Sequence, residues 1–193
     1  MFSYLGVLIA VILGLTITHL IIGLSKLIQM RRSVRVYWVH VVWTGNVLIY
    51  VLALWWGMFW WNGLLDWTFE KFLFITVYAI VLFFMAALLY PFEFVEGMDF
   101  EEYFFDNKNW FFAIFLTATL LDVVETVWKG IIGLRPVPAQ YVFYIPVCLA
   151  LGLTALVSSR RKIQAFVAVG WATATISYIL FSILARITVP GTR

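Results

Sequence analysis

The sequence predicts an all-α, polytopic integral membrane protein, with six transmembrane helices in one domain that covers residues 1–193. Hydrophobic residues make up 64% of the chain and charged residues 12%, whereas soluble domains carry about 25% charged residues. The mean hydropathy is +0.99. The connections between the apolar stretches are too short for a separate soluble domain. Most of the chain is therefore expected to lie in lipid.

Six apolar stretches account for the six predicted helices. A helix needs about 20 mostly apolar residues, at about 1.5 Å each, to cross the hydrocarbon of a bilayer. Five stretches reach that length, and the fifth in order, which follows Pro136 and Pro138, is shorter. In chain order the predicted spans are Tyr4–Ile28, Val36–Trp60, Phe69–Tyr90, Trp110–Ile132, Tyr141–Val157 and Ile163–Thr188.

Particular features mark the individual spans. The first lacks the short apolar core and cleavage site of a signal peptide, so it is expected to be retained. The second ends in tryptophans, and the third leads into an acidic segment. The fourth carries ionisable residues at Asp122, Glu125 and Lys129. In the fifth, Pro146 is a candidate kink, and the sixth shares a pattern with the second.

Loop charges predict the orientation. One set of loops holds Lys26, Arg31, Arg32, Arg35, Lys108, Arg160, Arg161 and Lys162, and the other Lys71, Lys129, Arg135, Arg186 and Arg193. Because Lys and Arg in short loops stay cytoplasmic, both termini are expected on the non-cytoplasmic side of a bacterial inner membrane. The net charge of +3 belongs to these loops and indicates no nucleic-acid partner.

Tryptophans cluster at the predicted membrane boundaries, where indole rings are favoured. They indicate an aromatic belt, and the alternative is an aromatic surface that binds lipid or a partner. The outer group comprises Trp55, Trp56, Trp60, Trp61, Trp67 and Trp128, and the inner group Trp38 and Trp110.

The first two and last two spans resemble each other, which predicts a parallel repeat of helices 1–2 and 5–6. Matched pairs include Gly23 with Gly152, Trp43 with Trp171 and Tyr50 with Tyr178, and the pairs Arg31–Arg32 and Arg160–Arg161 also correspond. In such a repeat the matched glycines would let neighbouring backbones approach closely. This is not the inverted repeat of many secondary transporters.

An acidic, amphipathic cytoplasmic loop is predicted at residues 91–109. Phe100, Tyr103 and Phe104 would form one apolar helical face, with carboxylates opposite. The main hypothesis is a charge clamp to the arginine pairs of the two hairpins. The alternatives are a docking surface for another protein and, less favoured, a cation site. The docking candidates are Glu96, Asp99, Glu101 and Glu102.

Ionisable groups inside a span are functional candidates by default. Thr119, Asp122 and Thr126 share one face of the fourth helix, and Glu125 and Lys129 stand at the i, i+4 spacing of an ion pair. In one interpretation that pair forms near the outer surface and Asp122 hydrogen-bonds a neighbouring helix. In the other, Asp122 lies on a proton or cation path.

The two histidines, His19 and His40, are expected to be hydrogen-bonded packing residues, with a role in a proton relay with Asp122 as the alternative. Their predicted depths, about 13 and 6 Å at about 1.5 Å per residue, argue against a shared haem. Cys148 is the single cysteine, which excludes a disulfide framework and a Cys-based zinc site. No cofactor and no metal are predicted.

Two functional classes remain open. The first is a non-enzymatic accessory or scaffold subunit of a membrane assembly, in contact with lipid and with its own copies or other subunits. The second is a small channel or transporter for protons, cations or a small solute, with Asp122, Glu125, Lys129, His19 and His40 as candidate residues. An enzyme is not predicted, because no nucleophile–base pair, phosphate-binding glycine loop or metalloprotease motif is present.

Overall fold

The computed structural model describes the backbone of residues 2–188 and the side chains of residues 4–182. Over this range the regular secondary structure consists of six helices. Five are long and apolar enough to cross a membrane, whereas α5 has 17 residues. The helices are α1 (Phe2–Gln29), α2 (Trp38–Trp61), α3 (Phe69–Ala87), α4 (Phe100–Ile131), α5 (Tyr141–Val157) and α6 (Arg161–Thr188). The prediction of an all-helical polytopic membrane protein is confirmed.

Burial follows the pattern expected in lipid. Large apolar side chains such as Val7, Phe59 and Phe143 are exposed, while several polar side chains are buried in the bundle. This arrangement suits a solvent of hydrocarbon chains, in which polar groups must find partners inside the protein. The buried polar side chains include Thr16, His40, Thr44, Asn46, Lys108, Thr119, Glu125, Lys129, Gln164 and Thr175.

The helices form two groups that meet where α2 packs on α6 and where α3 packs on α4. On one side α1 packs on α2 and α3, and on the other α5 packs on α4 and α6. Where the groups meet, Trp43 of α2 is surrounded by aromatic rings at centroid distances of 5.1 to 6.1 Å. We call this set the aromatic layer; it consists of Trp43, Phe111, Phe112, Phe115 and Trp171.

At one end of the bundle the α1–α2 connection is hydrogen-bonded to the α3–α4 connection. The backbone N–H of Arg35 donates to the Met98 carbonyl at 2.9 Å, and the N–H of Phe100 donates to the Arg35 carbonyl at 3.0 Å. The connection between α5 and α6 joins this end, because Arg161 forms an ion pair with Glu101. We call this the arginine-rich end, and the opposite end, with the α2–α3 and α4–α5 connections, the tryptophan-rich end.

The predicted acidic loop at 91–109 is divided in the structure. Residues 91–99 form the connection, but residues 100–109 are the first turns of α4. The helix starts at Phe100 because the Asp99 carboxylate caps it, accepting from the Glu101 N–H at 2.8 Å. Burial opposes ionisation of Asp99, but N–H donors of Glu101 and Glu102 and the Arg35 guanidinium hold its pKa below the usual value. Phe100 and Phe104 are buried against the bundle, so the apolar face packs on protein.

The charge clamp forms with partly different arginines. Arg161 pairs with Glu101 as expected, but the partner of Asp99 is Arg35, at 3.0 Å. Arg31 instead donates to the Ile28 carbonyl of its own helix, so the predicted use of the Arg31–Arg32 pair is wrong. The physical reason is the pairing of connections, which places Arg35 directly beside Asp99.

The two matched glycines accept aromatic rings rather than a neighbouring backbone. A Cβ at Gly23 would overlap the ring of Tyr90, and one at Gly152 would lie 2.8 Å from Leu116 and 2.9 Å from the ring of Phe115. The expectation of close backbone approach is therefore corrected, although the two hairpins use their equivalent glycines in the same way. The duplication itself stays a prediction.

The aromatic belt is confirmed only in part. Trp55, Trp56, Trp38 and Trp110 are exposed, as a belt at each end requires. Trp61 and Trp67 are instead buried, with ring centroids 5.6 Å apart, because the α2–α3 connection folds over the end of the bundle.

Two of the charges used to predict the orientation lie near the C-terminus. The side chain of Arg186 and the whole of Arg193 lie outside the described residues.

Candidate functional site

A cavity of about 120 Å³ lies between α2, α4, α5 and α6. It extends from Thr119 and Trp171, at mid-bundle, to Arg135 in the α4–α5 connection, and it is large enough for several water molecules or a small solute. The predicted shared face of Thr119, Asp122 and Thr126 lines it. The other lining residues include Tyr50, Gly57, Glu125, Lys129, Tyr141, Tyr144, Cys148, Thr175 and Tyr178.

Asp122 is held by tyrosines from two other helices. The Tyr141 hydroxyl of α5 donates to Oδ2 at 2.6 Å, and the Tyr78 hydroxyl of α3 lies 3.3 Å from Oδ1. The Tyr78 hydroxyl is also 3.2 Å from that of Tyr50. Since it has one hydrogen, it donates to the carboxylate and accepts from Tyr50. The interpretation in which Asp122 hydrogen-bonds neighbouring helices is thus confirmed.

Glu125 and Lys129 form the predicted ion pair, but inside the protein rather than at its surface. Their side chains are 7% and 3% exposed. The Trp61 indole N–H donates to Glu125 Oε1 at 2.8 Å, and Lys129 Nζ donates to the Gly57 carbonyl at 2.8 Å. The pair is buried against the end of α2, which supplies one further hydrogen bond to each of the two side chains.

Two charges on the cavity have no partner of opposite sign. Among the described residues, neither Asp122 nor Arg135 lies within ion-pair distance of an opposite charge. Arg135 lies over the ring of Trp60, 5.3 Å from its centroid, and is hydrogen-bonded to Tyr178. The cavity therefore holds one neutralised pair together with a separate anion and a separate cation.

The aromatic layer separates the histidines from this cavity. His19 Nε2 is 3.1 Å from the Tyr90 carbonyl oxygen, and the ring of His40 packs edge-on against Tyr90 and Phe100. Neither histidine lines the Asp122 cavity. The structure shows no direct contact between either histidine and this cavity, and Trp43 follows His40 by three residues on α2. The relay with Asp122 stays a prediction.

Polar side chains near the histidines on α1 and α2 bond groups other than the imidazole rings; Thr44, for example, also donates to the His40 backbone carbonyl. Thr44 bonds the Tyr90 hydroxyl at 2.8 Å, Asn46 donates to the Ala168 carbonyl at 2.9 Å, and Thr16 bonds its own helix. His19 is hydrogen-bonded, as predicted, but to a backbone carbonyl. His40 is 1% exposed, and neither ring nitrogen forms a well-directed hydrogen bond with a described residue, although the Leu89 backbone approaches it.

The four docking candidates separate into two kinds. Asp99 and Glu101 are used inside the fold, in ion pairs with arginines. Glu96 and Glu102 are exposed, and neither has an ion-pair partner in the part of the chain that the structure describes. A search of the same part for three or more His, Cys, Asp or Glu side chains that could hold a metal ion finds none.

Sequence reasoning missed most of the cavity wall. Tyr78 and Tyr141, which hold Asp122, gave no signal beyond being polar side chains in apolar spans, and Arg135 counted only as a loop charge. Tyr50 and Tyr178 were singled out, but as a matched pair of the repeat. Both line the cavity, so the shared pattern of α2 and α6 pointed to this region, as did the polar face of α4.

No protein-family model, no curated protein and no solved structure matches this chain. Its function is therefore inferred from the geometry of its own residues.

Proposed function

We propose that the protein is a small membrane transporter in which the Asp122 cavity binds a solute through a positively charged group. The observation that carries the proposal is the Asp122 carboxylate, which forms no ion pair with a described residue and lines a solute-sized cavity inside the bundle. Charged residues are rare within spans and mark solute and ion pathways. The tyrosines orient the carboxylate of Asp122 and leave its other lone pairs for a ligand.

The cavity and the aromatic layer together fit one conformation of a transporter. The cavity reaches the tryptophan-rich end through Arg135, while Trp43 and its neighbours fill the bundle toward the arginine-rich end. A solute would enter from the first end and leave through the second after the layer opens. In this proposal the arginine-rich end faces the cytoplasm of a bacterium, with both termini outside, and the distribution of Lys and Arg among the loops supports that orientation.

The test is transport by the purified full chain in liposomes. Two labelled probes carry an ammonium group, tetramethylammonium and aminopentanoate, and a trapped dye reports internal pH. We expect uptake of at least one probe, or proton movement, that Asp122→Asn lowers at least ten-fold. Asp106→Asn is the matched control, because it makes the same change at an exposed position of the same helix. Transport no faster than in protein-free liposomes, or equal in both variants, would contradict the proposal.

The accessory-subunit hypothesis stays as a second candidate, favoured by the exposed carboxylates of Glu96 and Glu102. A partner with basic residues would bind there, and the exposed apolar helix faces would contact lipid, another copy of the chain or a different subunit. Crosslinking in intact membranes tests this. A stoichiometric crosslinked partner that is lost in the Glu96→Gln/Glu102→Gln double variant, but kept in Lys71→Gln, would support it.

A further inference from the structure

Two of the four charged side chains on the Asp122 cavity pair with each other, and the other two do not. Four ionisable residues other than tyrosine and cysteine line it: Asp122, Glu125, Lys129 and Arg135. Glu125 and Lys129 neutralise each other in direct contact.

The other two charges are the Asp122 carboxylate, at the middle of the bundle, and the Arg135 guanidinium, at the α4–α5 connection. These two groups form no ion pair with each other. An isolated charge in a low-dielectric interior is costly, so Asp122 favours a positively charged ligand group. Arg135 is half-buried in its connection, and its guanidinium is available to an anionic group.

The two unpaired charges lie at different depths. Asp122 and Lys129 are seven residues apart on α4, which is about 10 Å at about 1.5 Å per residue. The backbone N–H of Arg135 donates to the Lys129 carbonyl, so the Arg135 backbone is at the level of Lys129. The backbones of Asp122 and Arg135 are therefore about 10 Å apart along the axis of α4, and both side chains line one cavity.

Apart from its charged groups, the cavity wall carries aromatic and apolar side chains. Tyr144 and Tyr178 stack with centroids 4.7 Å apart, and Ile145 and Ile179 line the same cavity. A chain of methylene groups would replace water against such a wall favourably. Aromatic faces also attract ammonium groups, and the guanidinium fork of arginine fits a carboxylate or phosphate.

From this juxtaposition we infer that the ligand is a zwitterion with separated charges, of the ω-amino acid class. Its ammonium group binds Asp122 at mid-bundle, its methylene chain lies along the tyrosine wall, and its carboxylate binds Arg135. An α-amino acid carries its two charges on adjacent carbons and cannot reach both residues. The inference rests on the proposed function, and it adds the chemical class of the solute and a role for Arg135.

Binding to the purified full chain in mild detergent tests the inference, measured by calorimetry over a series from glycine to aminohexanoate. We expect affinity to rise at least ten-fold along the series before it levels off. Pentylamine and pentanoate, which each carry one of the two charges, should bind at least ten-fold more weakly than aminopentanoate. The inference would be overturned if pentylamine or glycine bound as tightly as aminopentanoate. It would also be overturned if no zwitterion bound detectably.

Variants at the two ends separate this inference from the transport proposal. Arg135→Gln should weaken aminopentanoate binding at least ten-fold and leave pentylamine binding unchanged, whereas Asp122→Asn should weaken both. Arg135→Lys keeps the charge without the planar fork and should lie between, and Lys162→Gln at the arginine-rich end is the control. If Asp122→Asn lowers transport but Arg135→Gln leaves it unchanged, the zwitterion inference is overturned and the transport proposal stands. If neither substitution changes transport, both are overturned.

Discussion

At the tryptophan-rich end, Asp122 lines a cavity and receives hydrogen bonds from two tyrosines, whereas at the arginine-rich end His40 is enclosed by aromatic rings. Both residues were candidates for the same reason, since each is titratable and lies within an apolar span. The difference is the space beside them. Asp122 has room for a ligand, while His40, 1% exposed, is packed. A polar residue in a span indicates function when a cavity and hydrogen-bond partners accompany it.

The largest predicted effect is at the tryptophan-rich end. Glu125→Gln leaves the buried Lys129 ammonium without its counter-charge, and loss of one member of a buried pair costs about 3–5 kcal/mol of unfolding free energy. We expect a large drop in the melting midpoint in detergent. Combining it with Lys129→Met should restore much of the stability, because no charge is then left unpaired.

Glu102→Gln serves as the control for that prediction, since Glu102 is exposed and its substitution should change stability by less than about 0.5 kcal/mol. A single Glu125→Gln variant as stable as the wild type would mean that water reaches Lys129. The distinction between a closed ion-pair network and an open cavity around Asp122 would then be lost.

The arginine-rich end is expected to be sensitive to volume rather than to charge. A methyl group at Gly23 would overlap the Tyr90 ring, which also contacts His40. Overpacking of this kind costs about 1–3 kcal/mol, so Gly23→Ala should lower the melting midpoint. Gly14→Ala, in the same helix and with open space around the added carbon, should not. Equal melting of the two variants would show that this end can rearrange.

The sequence was enough to predict the helices, because the bilayer sets a minimum apolar length that five of them meet. It also predicted the shared face of Asp122 and the contact of Glu125 with Lys129, since both depend on spacing within one helix. It did not predict Tyr78, Tyr141 or Arg135 as neighbours. These lie on other elements, and their approach depends on how α3 and α5 pack against α4.

The same limit explains the partial success at the arginine-rich end. Clustered carboxylates and arginines predicted a clamp, and Arg161 joined it. The choice of Arg35 over Arg31 follows from backbone pairing between two connections, which has no hydrophobic period to reveal it. The aromatic layer was missed for a related reason: in spans where nearly every residue is apolar, periodicity does not separate the faces that meet protein from those that meet lipid.

The smallest predicted effect belongs to Asp99, at the surface of the arginine-rich end. Asp99→Ala removes the α4 cap and should cost about 1 kcal/mol at any pH. Asp99→Asn keeps a good cap but loses the charge interactions that lower the pKa of Asp99. A lowered pKa means that this charge contribution is present above the usual value of 3.8 and is lost as pH falls through the lower, folded-state value. The stability of wild type and Asp99→Asn should therefore differ slightly at pH 7, by less than about 1 kcal/mol for so exposed a pair.

The two melting midpoints should converge on acidification, while Asp99→Ala stays below both. If burial, which opposes ionisation, dominated at this cap, Asp99→Asn would be more stable than the wild type at pH 7, and the wild type would gain on it as the pH falls.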